Sequence, residues 1–421
     1  MSARHAPVLV LVPPRWIGGL GVMRSLGRLG IPVYGLAHRS TSIPNVSRYA
    51  AGFVNAGDDG RPIGGDPGRV VDDLLRAADR LGDGTILIAG TDEWATFVAE
   101  HADALATRFR FPRTPVAVVE ALASKEGLAR LAFQHGLPTP GIAVPASAAD
   151  AARLARTLTY PILVKPVHSR PDVTYKGIAS DEASMLRHYQ VLEERPEAPN
   201  VLLQEYIPGE DADVWMFNGY FDASSRCLAA FTGVKLRQHP ARMGHCAMGE
   251  LRQNEVVIDQ TISFLQAVAY QGIVDIGFRF DARDGRYKVL DVNPRLGGAF
   301  RLFVDRNGVD VARAMYWDFT GTTVPGIEAR DGRRWFREDS DLVAFRHYRR
   351  DHGLTMRNWL SSYRGVEESS TFAWTDPLPF ASSMFLLARD TLVDHIPGRR
   401  KASVEPIAAP AVPETSEVAT G

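Results

Sequence analysis

The chain has 421 residues, 45% of them hydrophobic and 23% charged. That length holds two or three domains or one large α/β enzyme, and the composition is that of a soluble globular protein with a sizeable core. Lys and Arg total 48 against 49 for Asp and Glu, and the net charge of −1 argues against a broad nucleic-acid surface while leaving room for a small basic pocket. The two cysteines, Cys227 and Cys246, exclude a disulfide framework and a cysteine zinc site and suit a reducing cytoplasm. No run approaches the roughly 18–20 apolar residues of a membrane span. The opening MSARHAPVLVLVPPRW reads as a first buried strand and not a signal peptide, because prolines and an arginine break its apolar run.

Val8–Val12 is an apolar, β-branched run. Gly18, Gly19 and Gly21 follow, then a helical pattern through Leu29 and a second strand at Pro32–Leu36. This strand–loop–helix–strand unit opens a parallel α/β sheet. It departs from the dinucleotide fingerprint: Arg24 stands where the third glycine belongs, and Ala37 and His38 where an acid should follow. The glycines therefore read as a tight turn with close helix–strand packing. Residues 69–82 form an amphipathic helix, and Thr85–Ala89 is a strand ending in Gly90-Thr91-Asp92-Glu93. Ligands of open α/β sheets gather beyond strand carboxyl ends, which would turn Thr91, Asp92 and Glu93 toward a substrate. Capping of the next helix is the favoured reading.

The texture changes near residue 115. Ser124-Lys125 opens a helix closed by Gly136 and Pro138. Tyr160–Pro166 is a short strand carrying Lys165, and Val201–Ile207 is another, stopped by Pro208-Gly209. Ile273–Phe280 and Arg286–Val292 flank Asp284-Gly285, a strong hairpin signal. Beyond about residue 325, arginines and aromatics (Trp335, Phe336, Tyr348, Trp359, Tyr363, Trp374) indicate an appended region with its own packing. Residues 402–421, rich in Pro, Ala, Ser and Glu, read as a disordered tail.

The second hairpin strand carries the chemistry. Strand alternation turns Asp291 and Asn293 to one face and Leu290 and Val292 to the other. An acid beside an amide is an oxygen-only pair of the kind magnesium takes, and Arg295 adds a fork for an anion. The plainer alternative is an exposed hairpin face with a turn at Asn293-Pro294. Lys165 ends a buried-looking strand, where a lysine suits an internal anion. Lys125 opens a helix, the wrong end for a cation unless it neutralises a phosphate. Lys235 and Arg237 share a strand face; each basic residue taken singly also reads as surface decoration. Leu202–Asp211 runs from an apolar strand through Gln204-Glu205-Tyr206-Ile207 into a Pro-Gly turn followed by acids. His245-Cys246 reads as loop or core, since neighbours on a strand point apart.

In this order, Lys125, Lys165, Gln204–Asp211, Lys235 and Asp291-x-Asn293-x-Arg295 resemble the ATP-grasp superfamily over roughly residues 115–325. Among its members the chain looks most like the carboxylate–amine ligases of the carbamoyl-phosphate-synthase-like, or predicted carboligase, group. The resemblance implies a Rossmann-like pre-ATP-grasp domain (residues 1–115) and a two-lobed ATP-grasp domain with mostly antiparallel sheets (116–325, lobes 116–200 and 201–325). An appended region (326–395) and a tail (396–421) would follow. It assigns Lys125 and Lys165 to ATP phosphates, Glu205, Tyr206 and Ile207 to adenine, Gln204 beside them to the nucleotide, and Asp211 to ribose, with Asp213 as a neighbouring substitute. Asp291 and Asn293 match magnesium ligands, a site manganese also fits. Arg295 matches the arginine at the reacting carboxylate, and Lys235 and Arg237 would face the γ-phosphate and substrate. The implied partners are a small carboxylate and a small amine, with no nucleic acid and no membrane, and homodimers are common in the family. Two departures stand out. Gly277 occupies the place of an acidic metal ligand, with Asp275 the nearest acid on the same face. The loop after Lys165, including His168, Ser169, Arg170 and Lys176, is poor in glycine. The alternatives are an ATP-grasp carboxylase or phosphotransferase, and a degenerate nucleotide binder without turnover.

Overall fold

An unbroken apolar run buried on both sides is what a central parallel strand requires, and the first strand, β1 (Val8–Leu11), is fully buried along its length. In this computed structural model, which describes residues 5–37, 42–57, 61–62, 66–167, 175–194, 201–242 and 244–394, β1 lies within a parallel sheet. Its other strands are β2 (Val33–Leu36), β3 (Ala50–Val54), β4 (Thr85–Ala89) and β5 (Phe109–Arg110), in the order β3-β2-β1-β4-β5. Val8 and Val10 pack with Val22, Met23 and Leu26 of the helix Ile17–Gly27. Leu9 and Leu11 pack with the helices Pro67–Leu81 and Asp92–Glu100 through Leu74, Ala78, Trp94 and Phe97. The early glycines lie inside that first helix and not in the expected tight turn, and they serve close packing: a Cβ on Gly19 would stand 2.8 Å from Val12, and one on Gly21 2.6 Å from Phe300. β3, Ala50-Ala51-Gly52-Phe53-Val54, opens on small residues with only a short apolar pair and escapes sequence reading. The strand order reverses between β1 and β4, the point where such sheets gather ligands.

Residues Met1–Thr139 and Gly209–Val393 form one compact unit, and Pro140–Pro208 belongs to a second. The second unit holds a four-stranded antiparallel sheet of β6 (Ile142–Ala143), β7 (Ile162–Pro166), β8 (Gly177–Ala179) and β9 (Val201–Glu205), in the order β6-β9-β7-β8. Ile162, Val164, Val201 and Leu203 pack there against Ala151, Ala155, Met185 and Tyr189. The loop holding His168, Ser169 and Arg170, and the expected tail, lie outside the described residues.

The first unit also holds a seven-stranded mixed sheet. Its strands are β10 (Val214–Phe221), β11 (Cys227–His239), β12 (His245–Leu251), β13 (Gly272–Asp281), β14 (Arg286–Asn293), β15 (Arg334–Phe336) and β16 (Val366–Ser369), ordered β14-β13-β10-β11-β12-β15-β16. All neighbours are antiparallel except β15 and β16. The expectation that the C-terminal region packs by itself is therefore corrected, since β15 and β16 extend this sheet. The hairpin turn forms as expected, with Gly285 at φ 70° in the left-handed region that glycine tolerates. The alternation of β14 is corrected too. Register passes from Gly277↔Asp291 to Phe278↔Val289, so Leu290 is the extra residue of a bulge. Val289 and Val292, not Leu290, enter the core with Phe217, Phe278, Leu128 and Phe264.

Candidate active site

Cross-strand register assembles the site on one face of the large sheet. Asn293, Asp275, Asn218 and Phe231 form one row across β14, β13, β10 and β11, and Asp291, Gly277, Met216 and Gly233 form the next. Lys235, two residues beyond Gly233, falls on that face as well. The side-chain amide of Asn293 donates to Asp275 O at 3.1 Å and to Asp291 Oδ2 at 3.3 Å. The chain then turns, and Leu296 N–H donates to Ala89 O at the end of β4. Arg295 is thereby brought to the carboxyl end of the parallel sheet. Its Nε donates to Asp92 Oδ1 at 3.0 Å and its Nη2 to Asn293 Oδ1 at 2.9 Å, while Nη1 lies 4.0 Å from Asp275 Oδ2. Thr91 caps the following helix, accepting from Trp94 N–H. Capping thus accounts for Thr91, whereas Asp92 anchors Arg295, a role that its sequence neighbours do not reveal.

Asp275 titrates unusually. Burial pushes its carboxyl up to about 6, with Arg295 and Lys235 opposing the rise and Asp291 and Asp92 adding to it. Gly277 makes room for its row: a Cβ there would collide with Asp291 Oδ1. The carboxylate of Asp291 thus leans into the space that an acid at position 277 would fill. Among the described residues, no three of His, Cys, Asp and Glu gather as metal ligands. The pair Asp275 and Asp291 with the Asn293 amide remains an all-oxygen set, which fits magnesium. Arg295 holds the amide oxygen in that set.

The remaining first-unit candidates are already engaged. Lys125 Nζ donates to Leu290 O at 3.0 Å, taking up the carbonyl of the bulge. Lys235 Nζ donates to Gly244 O at 3.0 Å and lies 3.5 Å from Gln238 Oε1. Arg237 is corrected outright. A bulge between Lys235 and Arg237 breaks the alternation behind their shared face, and the guanidinium is buried. It makes two hydrogen bonds to Asp341, at 2.6 and 3.1 Å, and a third to Ser362 Oγ at 2.8 Å. A side chain so held supports the fold and does not face a substrate. Asp211 is also buried, with Oδ1 accepting from Gln238 Nε2 at 2.6 Å. Asp213 accepts from Glu210 N–H at 2.7 Å. Cys246 lies buried on β12 with its thiol pushed up to about 12, and burial holds His245 down to about 4, so the pair does not form a nucleophile and base.

In the second unit, Lys165 Nζ donates to Gln204 Oε1 at 2.6 Å on neighbouring strands. The Glu205 carboxylate accepts from the N–H groups of Gly141 at 3.1 Å and Thr159 at 2.8 Å. The N–H groups of Glu205 and Tyr206 donate to Gly141 O and Pro161 O, and Ile207 is buried. The Glu205 side chain therefore ties its own unit together.

No family model matches the chain. Over 287 residues it is 24% identical to the D-aspartate ligase of Enterococcus faecium (strain Aus0004), covering 63% of this chain and 68% of that one. Over 261 residues it is 26% identical to the carbamoyl phosphate synthase large chain of Paenarthrobacter aurescens (strain TC1), covering 59% of this chain but only 21% of the synthase. Among solved structures, the L-amino acid ligase from Bacillus licheniformis superposes with a TM-score of 0.57 at 16% identity, covering 79% of each chain. A biotin carboxylase from Campylobacter jejuni gives 0.60 at 15% identity, covering 77% of this chain and 73% of that one. The fold is that of ATP-grasp proteins. Among the described residues no helix is long and apolar enough to cross a membrane.

Proposed function

We propose that the chain is an ATP- and magnesium-dependent ligase that activates a carboxylate as an acyl phosphate and joins it to an amine. One observation carries this reading: Asp275, Asp291, Asn293 and Arg295 converge on one sheet face at the carboxyl end of β4. The likeness to a D-aspartate ligase and an L-amino acid ligase supports the choice of carboxylate and amine.

The substrate carboxylate oxygen attacks the γ-phosphorus, the bond to the β-phosphate oxygen breaks, and ADP leaves. The amine then attacks the acyl carbon, the acyl–oxygen bond breaks, and phosphate departs as the amine loses a proton. Magnesium, or manganese in its place, would be held by Asp275, Asp291 and Asn293 and would supply charge neutralisation at the phosphates. Arg295 supplies a fork for the carboxylate and its oxyanion. Lys235 serves the γ-phosphate, Lys125 and Lys165 the nucleotide phosphates, Glu205, Tyr206 and Ile207 the adenine, with Gln204 beside them, and Asp211 the ribose. Arg237, paired with Asp341, has no part in this chemistry. Residues 1–115 are read as a Rossmann-like pre-ATP-grasp domain and 116–325 as the ATP-grasp domain; a homodimer and a cytoplasmic location complete the proposal.

A second reading, a nucleotide binder without turnover, draws on Gly277 and on the engagement of Lys125, Asn293 and Arg295 by the protein's own groups. ADP release against a panel of carboxylates and amines separates the two. Release that needs one carboxylate and one amine favours the ligase. Tight Mg·ATP binding with no release against the whole panel favours the binder, and release driven by bicarbonate alone indicates a carboxylase.

A further inference from the structure

Two buried side chains join two of the proposed nucleotide residues to each other and to the C-terminal region. Gln238 is 2% exposed and Asp211 8%. The Gln238 amide donates through Nε2 to Asp211 Oδ1 at 2.6 Å, and its Oε1 faces Lys235 Nζ at 3.5 Å. Only this orientation works, because the flipped amide would set oxygen against carboxylate and NH2 against ammonium. The backbone N–H of Gln238 donates to Tyr348 OH at 3.2 Å, and so does that of Arg242. Burial, and after it the nearby Asp211 carboxylate, push the pKa of the same phenol up. With two N–H groups accepted, both lone pairs of the hydroxyl oxygen are engaged. Tyr348 stands on the helix Glu338–Asp351, two turns beyond Asp341, which grips Arg237, the neighbour of Gln238 on β11. One helix therefore holds two successive residues of the strand that carries Lys235.

We infer that Gln238 and Tyr348 are positioning residues that fix Asp211 for the ribose and tie it to Lys235, so that the C-terminal region completes the nucleotide machinery of this chain. This rests on the proposed ribose role of Asp211. A carboxylate offers about four lone-pair sites. Gln238 engages part of that capacity, Tyr348 holds Gln238 in place, and together they set the direction of the rest toward sugar hydroxyls.

The test is calorimetric titration of the full chain with Mg·ATP and with Mg·2′-deoxy-ATP, with near-UV circular dichroism to verify folding. We expect the wild type to prefer ATP by roughly tenfold, the worth of one hydrogen bond to a charged group. Asp211→Asn should abolish that preference. Tyr348→Phe and Gln238→Met, each folded, should each reduce it at least about threefold. A general loss of structure would weaken both nucleotides alike and leave their ratio unmoved. If both variants keep the wild-type ratio while Asp211→Asn loses it, the inference is overturned and the ribose role survives. If Asp211→Asn keeps the ratio, or the wild type shows none, the ribose role falls and the inference with it.

Discussion

Asp341 decides whether Arg237 serves the fold or the chemistry. Its carboxylate is fully buried and takes four hydrogen bonds, two from Arg237, one from Trp359 Nε1 at 2.9 Å and one from Tyr363 OH at 2.6 Å. Asp341→Leu leaves a guanidinium buried without its counter-ion and strands the indole N–H and phenol O–H. Breaking a buried pair from one side costs about 3–5 kcal/mol. For a cooperative unit of this size that lowers the unfolding midpoint by about 4–7 °C. Arg237→Met should cost a similar amount. The double variant Arg237→Met/Asp341→Leu should recover part of the loss, because apolar groups that replace both partners leave no charge unpaired. Differential scanning calorimetry of the four proteins provides the cycle. An Arg237→Met midpoint within about 1 °C of wild type, together with abolished ADP release, would refute the reasoning and return Arg237 to the catalytic list.

Glu368 sits between Arg301 (2.7 Å) and Arg333 (3.0 Å). Burial raises its carboxyl, but the two guanidinium groups outweigh that and hold it near 2 instead of 4.5. A depressed folded value gives stability that is present above the unfolded value and lost as pH falls toward 2, worth about 3 kcal/mol. Urea melts of Glu368→Gln should therefore show a deficit at pH 7 that shrinks below pH ~4.5; a deficit independent of pH would contradict this. Asp275 has the opposite sign: a folded value raised to about 6 means that its contribution to stability falls as pH climbs toward 6. Because a metal takes the ionised form, Mg²⁺-dependent ATP binding should strengthen through that pH, and Asp275→Asn should remove the step, as isothermal titration across the range would measure. Gly277→Ala should push Asp291 aside and weaken Mg²⁺-dependent nucleotide binding about tenfold with little change in melting temperature; unchanged magnesium dependence would count against the Asp291 role.

The hairpin, its turn and the Asp-x-Asn-x-Arg run were legible because alternation and turn chemistry are local. The bulge at Leu290 was not, since register depends on the partner strand. It exchanged Leu290 for Val289 in the core and gave Lys125 a carbonyl to bind. The bulge before Arg237 hid in the same way, and only a partner 104 residues away gives its charge a purpose. The strands β3, β15 and β16 are short and only partly buried edge or near-edge segments, which exist through pairing and not through pattern. Asp92, Gln238 and Tyr348 carry no motif. Asp92 alone stood where strand ends made a functional acid an open reading.

The central claim is that ATP activates a carboxylate for attack by an amine. It is tested most directly by supplying, from the panel pair that drives ADP release, the carboxylate labelled with heavy oxygen and analysing the released phosphate by mass spectrometry. We expect one labelled oxygen per phosphate, formed in step with ADP and amide, and none with Asp291→Ala. Unlabelled phosphate accompanying amide formation would contradict an acyl phosphate, and the ligase chemistry assigned to this site would have to be given up.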